Sequence, residues 1–215
     1  FYTSRVFSTY TNEGLSLLAE GNHPQEIETA GKKAGMPVGP LAVIDEINLG
    51  LVAQIRNQTR KDLAAEGKEL PLIPADQVID LMTEKINRLG RAQGGGFYEY
   101  PENGKKYLWP ELQTHFPNAK NPLNQDEMIE RILFIQAIET IRAYEENVVT
   151  SVAEANIGSI FGWGFSPEKG GTLQFINDYG IKKFENKSQE LSIKYGERFN
   201  PPKMLKKMVS KKETF

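Results

Sequence analysis

The sequence predicts an all-α chain built as a tandem pair of helical-bundle units, and three observations carry that expectation. Apolar residues recur at helical spacing over most of the length, turn signals suited to strands are confined to one short stretch, and parts of the first half reappear in the second.

The bulk properties set the frame. At 215 residues, with 39% hydrophobic and 25% charged, the chain has an ordinary globular composition and enough length for an ample core. A formal net charge of −2, with both signs mixed along the chain, argues against nucleic-acid or membrane-surface partners, which require a basic face. The lack of cysteine excludes disulfides, thiolate zinc sites, iron–sulfur clusters and cysteine nucleophiles, and His23 and His115 are too few for a histidine-rich metal site. No apolar run approaches the roughly 20 residues of a membrane span, and no signal peptide is visible, so the expected location is cytoplasmic. The chain opens Phe1-Tyr2-Thr3 without an initiator Met, from which we expect a piece of a longer protein.

Each element has its own signal. Over residues 5–20, Phe7, Tyr10, Gly14, Leu17 and Leu18 share one helical face. "NHPQEIETAGKKAG" gives a turn and a short helix with Ile27 and Ala30 inward and Gly35 as its stop. Pro40 suits the first turn of a helix expected to run to about residue 61. Its front half, with Leu41, Ile44, Leu49, Leu51 and Ile55, is apolar nearly all round, as in a helix buried mid-bundle. After the linker "AEGKELPLIPAD", residues 78–89 form another amphipathic helix. Regular structure lapses at "GRAQGGGFYEYPENGKKYLWPEL". Three consecutive glycines cannot hold a helix there, and Asn103-Gly104 suits the turn of a short hairpin. "FPNAKNPLNQDE" marks a boundary. Residues 125–146 then carry a stripe of Phe134, Ala137, Ile138, Ile141 and Tyr144, followed by shorter helices near 151–161, 171–179 and 181–195 and the closing "NPPKMLKKMVSKK".

Sliding the chain by 126 positions lays Arg5 on Arg131, Glu13 on Glu139 and Leu15 on Ile141. A slide of 132 lays Gly39 on Gly171, Leu41 on Leu173, Ile44 on Ile176 and Asp45 on Asn177. We therefore expect one unit over 1–105, a linker over 106–124 and a second unit over 125–215.

Glycine-rich turns raise the question of a phosphate cradle. The chain has no G-x-x-x-x-G-K-[ST], and neither Gly162-x-Gly164 nor Gly94-Gly95-Gly96 completes a dinucleotide fingerprint between a strand and a helix. Gly39, Pro40 and Asp45, with Gly171 and Asn177, read instead as the packing turn of a repeated helical unit. Glu13 and Glu139 hold matching places on the first helix of each unit and read as structural hydrogen bonds or ion pairs. His23 and His115 form no triad, Trp109 and Trp163 read as packing residues, and the lysines of the closing segment read as a solvated helix face. From the residues alone there is no self-sufficient catalytic constellation.

The strings "FYTSRVF", "EGLSLLAEGNHPQEIETAGKKAGMPVGPLAVIDEINLGL" and "GGGFYEY", then "VAEANIGSIFGWGFSPEKGGTLQFIND" and "GERFNPPKMLKKMV", cover nearly the whole chain. In that order they resemble the C-terminal region of L-3-hydroxyacyl-CoA dehydrogenases, in the duplicated form seen in multifunctional fatty-acid β-oxidation enzymes. The resemblance implies helical units like the C-terminal domain of 6-phosphogluconate dehydrogenase. It also implies an upstream Rossmann domain that binds NAD and supplies a catalytic His–Glu pair, so that this chain holds no catalytic residue, binds no cofactor or metal by itself and is inactive alone. Its implied share is substrate positioning and interfaces, with an acyl-CoA substrate and a homo-oligomer in the parent; the duplicated form commonly accompanies an enoyl-CoA hydratase domain. Ser4 stands where the family's opening string usually has a substrate-side Asn, and Phe161 where related enzymes often have a substrate-contacting Tyr, so these two are the candidate substrate-binding positions. Two other readings stand beside this one: a stand-alone helical interaction module of the same fold, and a dehydrogenase of the 6-phosphogluconate type.

Overall fold

The computed structural model describes all residues, 1–215. It is 67% helical, with eleven α-helices and a single two-stranded sheet, the all-α architecture expected. In order these are α1 (Tyr2–Ala19), α2 (Pro24–Lys33), α3 (Pro40–Ile47), α4 (Leu49–Ala65), α5 (Ala75–Asp80), β1 (Tyr98–Glu99), β2 (Tyr107–Leu108), α6 (Leu112–His115), α7 (Gln125–Glu145), α8 (Val152–Trp163), α9 (Thr172–Tyr179), α10 (Ile181–Tyr195) and α11 (Lys203–Lys211). The hairpin forms around Asn103-Gly104 as the turn residues suggest, with Tyr98 opposite Leu108 and Glu99 opposite Tyr107. A π-helical turn, Leu81–Ile86, continues α5 and ends at Asn87 in the left-handed region.

One expected helix is two. The pattern from Pro40 onward breaks at Asn48, whose φ of 88° no regular helix accommodates. Asparagine tolerates positive φ better than most residues, and its Oδ1 accepts the Gly50 N–H at 2.7 Å, capping α4 as it ends α3. The break redirects the chain, so the apolar front half is not buried all round. Leu41, Ile44 and Asp45 on α3 are buried, whereas Leu51 and Ile55 on α4 are 46% and 58% exposed. A break with the same backbone sign separates α9 from α10 at Gly180, φ 90°.

Two compact units share the chain. The N-terminal unit gathers Thr11–Ala30 and Val38–Gln125; the C-terminal unit gathers Phe1–Tyr10, Gly31–Pro37 and Asp126–Phe215. These compact units divide the chain differently from a cut at 105 and 125. Residues 1–10 group with the late helices because Tyr2 and Arg5 find their partners there, and 106–124 group with the N-terminal unit, where Trp109, Leu112 and Phe116 are buried. Asn22 fixes that segment, its Oδ1 accepting the Leu123 N–H at 2.8 Å. Leu15, Leu18, Ile27, Leu41, Ile44, Val78 and Met82 are buried in the N-terminal unit. In the C-terminal unit Phe134 stacks on Phe184 with ring centroids 4.2 Å apart, and Phe175 and Tyr179 meet the same ring edge-on. No helix is long and apolar enough to cross a membrane.

Asn48 thus combines a left-handed backbone with a side-chain cap. Asn48→Ala removes the cap and keeps the strain, and should cost about 2 kcal/mol; Asn48→Gly relieves the strain and should cost less than half of that. Urea unfolding followed by Trp109 fluorescence in a Trp163→Phe background reads the difference. Equal losses for the two variants would show that backbone strain at this position is negligible.

Candidate functional site

The two substrate-side candidates lie on the C-terminal unit, at the crossing of α1 and α8. α1 is seated there by its first residues. Tyr2 donates its hydroxyl proton to the Ala155 carbonyl at 2.9 Å and lies 3.5 Å from the Thr140 and 3.4 Å from the Thr172 hydroxyl oxygens. Its ring meets Trp163 edge-on at 5.4 Å, and the Trp163 indole N–H donates to Gln136 Oε1 at 2.9 Å. Burial pushes the Tyr2 phenol above its ordinary value, so it stays a donor. The close approach needs two glycines: a Cβ on Gly162 would lie 2.6 Å from Thr3 Cγ2, and one on Gly158 3.2 Å from the Tyr2 ring.

This seating leaves one side of each helix outward. Ser4 is exposed, and its hydroxyl makes a single long bond of 3.4 Å to the Phe1 carbonyl. On α8, Ile157 and Phe161 each precede one of the two crossing glycines and are 57% and 86% exposed. The two crossing helices thus expose a hydroxyl with spare hydrogen-bonding capacity on α1 and two large apolar side chains on α8, groups suited to binding rather than to acid–base chemistry. The nearest charges on α1 and α7 are already engaged. Arg5 donates to Glu139 at 2.6 Å and to both oxygens of Glu146 at 2.6 and 3.1 Å, and Arg142 also bonds Glu139 at 2.9 Å. The bond to Glu146 foremost holds Arg5 above its ordinary range and Glu146 below its own. Glu13, at the matching place on α1, is fully buried in the N-terminal unit.

The glycine turns are filled by the protein itself. At the start of α3, Glu28 of α2 reaches across and its Oε1 accepts the N–H groups of Leu41 at 2.7 Å and Ala42 at 3.3 Å. At the start of α9, Asn156 of α8 does the same for Leu173 at 2.9 Å and Gln174 at 3.1 Å. A helix N-terminus is where an anion would settle, and here a side chain occupies it. A Cβ on Gly39 would lie 2.5 Å from the Glu28 carboxylate, and one on Gly171 2.5 Å from Asn156. Asp45 likewise serves the glycine-rich stretch, accepting N–H groups from Phe97 and Tyr98, both at 2.9 Å, and the Tyr100 hydroxyl at 3.0 Å. Tyr98 in turn donates its hydroxyl to Glu28 Oε2 at 2.8 Å.

Burial raises Glu28 and Asp45 above their ordinary carboxyl values, outweighing the bonds each accepts, and burial with the neighbouring carboxylates pushes Tyr98 and Tyr100 well up. Lys106, its Nζ 5.0 Å from the Tyr98 ring centroid, is a cation that acts on both carboxylates, and Arg91 stands over Tyr100 at 5.6 Å. These residues do not fit a dinucleotide: the two strands form an antiparallel hairpin, Gly39, Gly96 and Gly171 are closed by Glu28, Asp45 and Asn156, and Gly162 and Gly164 abut Thr3 and Pro37. No three His, Asp or Glu side chains converge as metal ligands.

Glu28 and Asn156 escaped sequence reasoning because each lies on an amphipathic helix, where a polar residue looks like surface. The available signal was a helix start, Gly-Pro or Gly-Gly-Thr, with no capping Ser, Asp or Asn of its own. His23 accepts the Gln25 N–H at 3.1 Å at the head of α2, and His115 stacks on the Trp109 ring.

Glu28→Ala leaves two helix N–H groups and the Tyr98 hydroxyl without an acceptor and should cost about 3 kcal/mol, whereas Glu28→Gln keeps the acceptor and should cost less. A carboxyl raised in the folded state binds its proton more tightly there, so the stability it adds is fullest below its ordinary value of 4.5 and is lost as pH climbs through the raised one. The melting temperature of the parent relative to Glu28→Gln should therefore fall with rising pH, followed by Trp109 fluorescence. A pH-independent difference would mean that Glu28 does not titrate differently on folding.

Residues 1–100 match the family model described as 3-hydroxyacyl-CoA dehydrogenase, C-terminal domain. Among solved structures, the chain is similar to 3-hydroxybutyryl-CoA dehydrogenase from Escherichia coli K12, with a TM-score of 0.67 and 18% identity over 98% of this chain and 59% of that one. It is also similar to the dehydrogenase part of multifunctional enzyme 1 from C. elegans, with a TM-score of 0.60 and 16% identity over 95% of this chain and 46% of that one. At such identities the likeness is one of fold, and the chain spans roughly half the length of those two chains. Residues 1–100 are thus similar in sequence to the C-terminal domain of 3-hydroxyacyl-CoA dehydrogenases, and nearly the whole chain shares a fold with part of these two dehydrogenases.

Proposed function

We propose that the chain is the helical, substrate-positioning and interface-forming part of a cytoplasmic NAD-dependent 3-hydroxyacyl-CoA dehydrogenase of fatty-acid β-oxidation. The observation that carries this is the family match over residues 1–100, whose first residues are those that seat α1 against α8 and leave Ser4 and Phe161 outward. In this reading an upstream dinucleotide-binding domain supplies NAD and the His–Glu pair that takes the hydroxyl proton of the 3-hydroxyacyl-CoA. NAD, when bound there, accepts the hydride from C3. The present chain contributes the opposite wall: Ser4 hydrogen-bonds the substrate's oxygen, directly or through one water, while Phe161 and Ile157 cover apolar surface. The parent is a homo-oligomer whose helical region supplies contacts. The recurrence of the cap and of the break after the eight-residue helix supports an origin by duplication of one helical unit, with boundaries near 105 and 125. A stand-alone interaction module is the alternative, favoured by the exposure of Leu51 and Ile55 on α4.

An assay of acetoacetyl-CoA-dependent NADH oxidation separates the two. Activity is expected in the parent and none in residues 1–215 alone; turnover by this chain by itself would refute the division of labour, and an inactive parent would favour the module. In the parent, Ser4→Ala should lower kcat/KM by roughly 2- to 10-fold, the worth of one neutral hydrogen bond. An unchanged kcat/KM would remove Ser4 from the site.

A further inference from the structure

Asp45 and Asn177 occupy corresponding places near the ends of α3 and α9, and each holds a stretch of main chain. Their chemistry differs in one respect. Asp45 offers acceptors alone and receives two successive N–H groups, from Phe97 and Tyr98. Asn177 offers one acceptor and one donor, and it meets one residue's complete main-chain pair. Its Oδ1 accepts the Phe215 N–H at 3.1 Å, and its Nδ2 donates to the Phe215 main-chain oxygen at 3.0 Å. The Phe215 ring stands edge-on to Tyr144 of α7, centroids 6.3 Å apart at 73°.

The chain is turned toward this place at the end of α11. Lys212 adopts φ 58°, a conformation usually left to glycine, and the Glu213 N–H bonds back to the Met208 carbonyl at 3.0 Å. The reversal carries Glu213–Phe215 back to α9.

We propose that Asn177 and Tyr144 form a docking site for an extended peptide bearing an aromatic residue, filled in this structure by the chain's own Phe215. The amide recognises a backbone N–H and oxygen together, whatever the side chain, and Tyr144 adds the preference for a ring. An Asn at this place is selective in a way an Asp is not: a carboxylate at 177 would set a second acceptor against the Phe215 oxygen and turn an attraction into a repulsion. Tethering gives the chain's own segment a high effective concentration, so a free peptide should bind strongly only when that segment is gone.

Two measurements test this. A fluorescently labelled peptide of sequence KKETF is titrated, with anisotropy as the readout, into the full chain and into a chain ending at Lys212. Saturable binding to the shortened chain is expected, at least tenfold tighter than to the full chain. It should be abolished by Asn177→Asp and weakened several-fold by Tyr144→Leu in the shortened background. Absence of saturable binding to a shortened chain that melts like the parent would overturn the proposal, as would equal binding by Asn177→Asp. Should the shortened chain fold poorly, hydrogen exchange in the full chain decides. The Phe215 amide should be protected at least tenfold in the parent and lose that protection in Asn177→Asp. Protection that Asn177→Asp leaves unchanged would equally overturn the site.

Discussion

A borrowed acceptor at the head of a short helix is the interaction on which each half of this molecule depends. α3 and α9 begin at glycine, with no side-chain cap of their own, so their first N–H groups need an acceptor from elsewhere. Glu28 and Asn156 supply it from the preceding helix, joined on α8 by Ser159, whose hydroxyl oxygen accepts the Thr172 N–H at 3.2 Å, and in doing so they tie each pair of helices together. The glycines at 39 and 171 follow from that choice, since any side chain there would collide with the visiting group. Asp45 and Asn177 stand near the other ends of these helices and fasten distant stretches of main chain, at Phe97–Tyr98 and at Phe215.

The N-terminal unit performs this with two carboxylates, Glu28 and Asp45, and the C-terminal unit with two amides, Asn156 and Asn177. Both solutions satisfy the same helix start, because a carboxylate and an amide each present an oxygen that can accept two N–H groups. They differ in what else they bind. The carboxylates gather tyrosine hydroxyls from Tyr98 and Tyr100 and bear the cost of a buried charge, whereas the amides remain neutral at every pH.

Most of the helices were legible in the sequence, because residues such as Leu17, Leu18, Phe134, Ile138 and Ile141 recur at a period only a helix satisfies. The hairpin was legible from Asn103-Gly104 for a similarly local reason. The break at Asn48 was not: the apolar pattern runs straight through it, and a positive φ leaves no mark on hydrophobic spacing. Nor were the caps, since Glu28 and Asn156 lie 13 and 17 residues ahead of the first N–H groups they serve. Ser4 and Phe161 have no local signature of function and came to attention through resemblance alone. Their exposure, and the seating of α1 by Tyr2 beneath them, is information that only three-dimensional placement holds.

The interleaving of the two units has a consequence for how the chain is made. α1 is a single helix, yet its first nine residues group with segments synthesised much later while the remainder groups with its immediate successors. During vectorial synthesis the N-terminal unit can assemble once residue 125 has emerged, with Tyr2 and Arg5 still lacking Ala155, Glu139 and Glu146. The front of α1 is thus made well before the partners it needs. The crossing of α1 and α8 can form only after the stretch 152–163 has been made, about 150 residues behind the Tyr2 it receives.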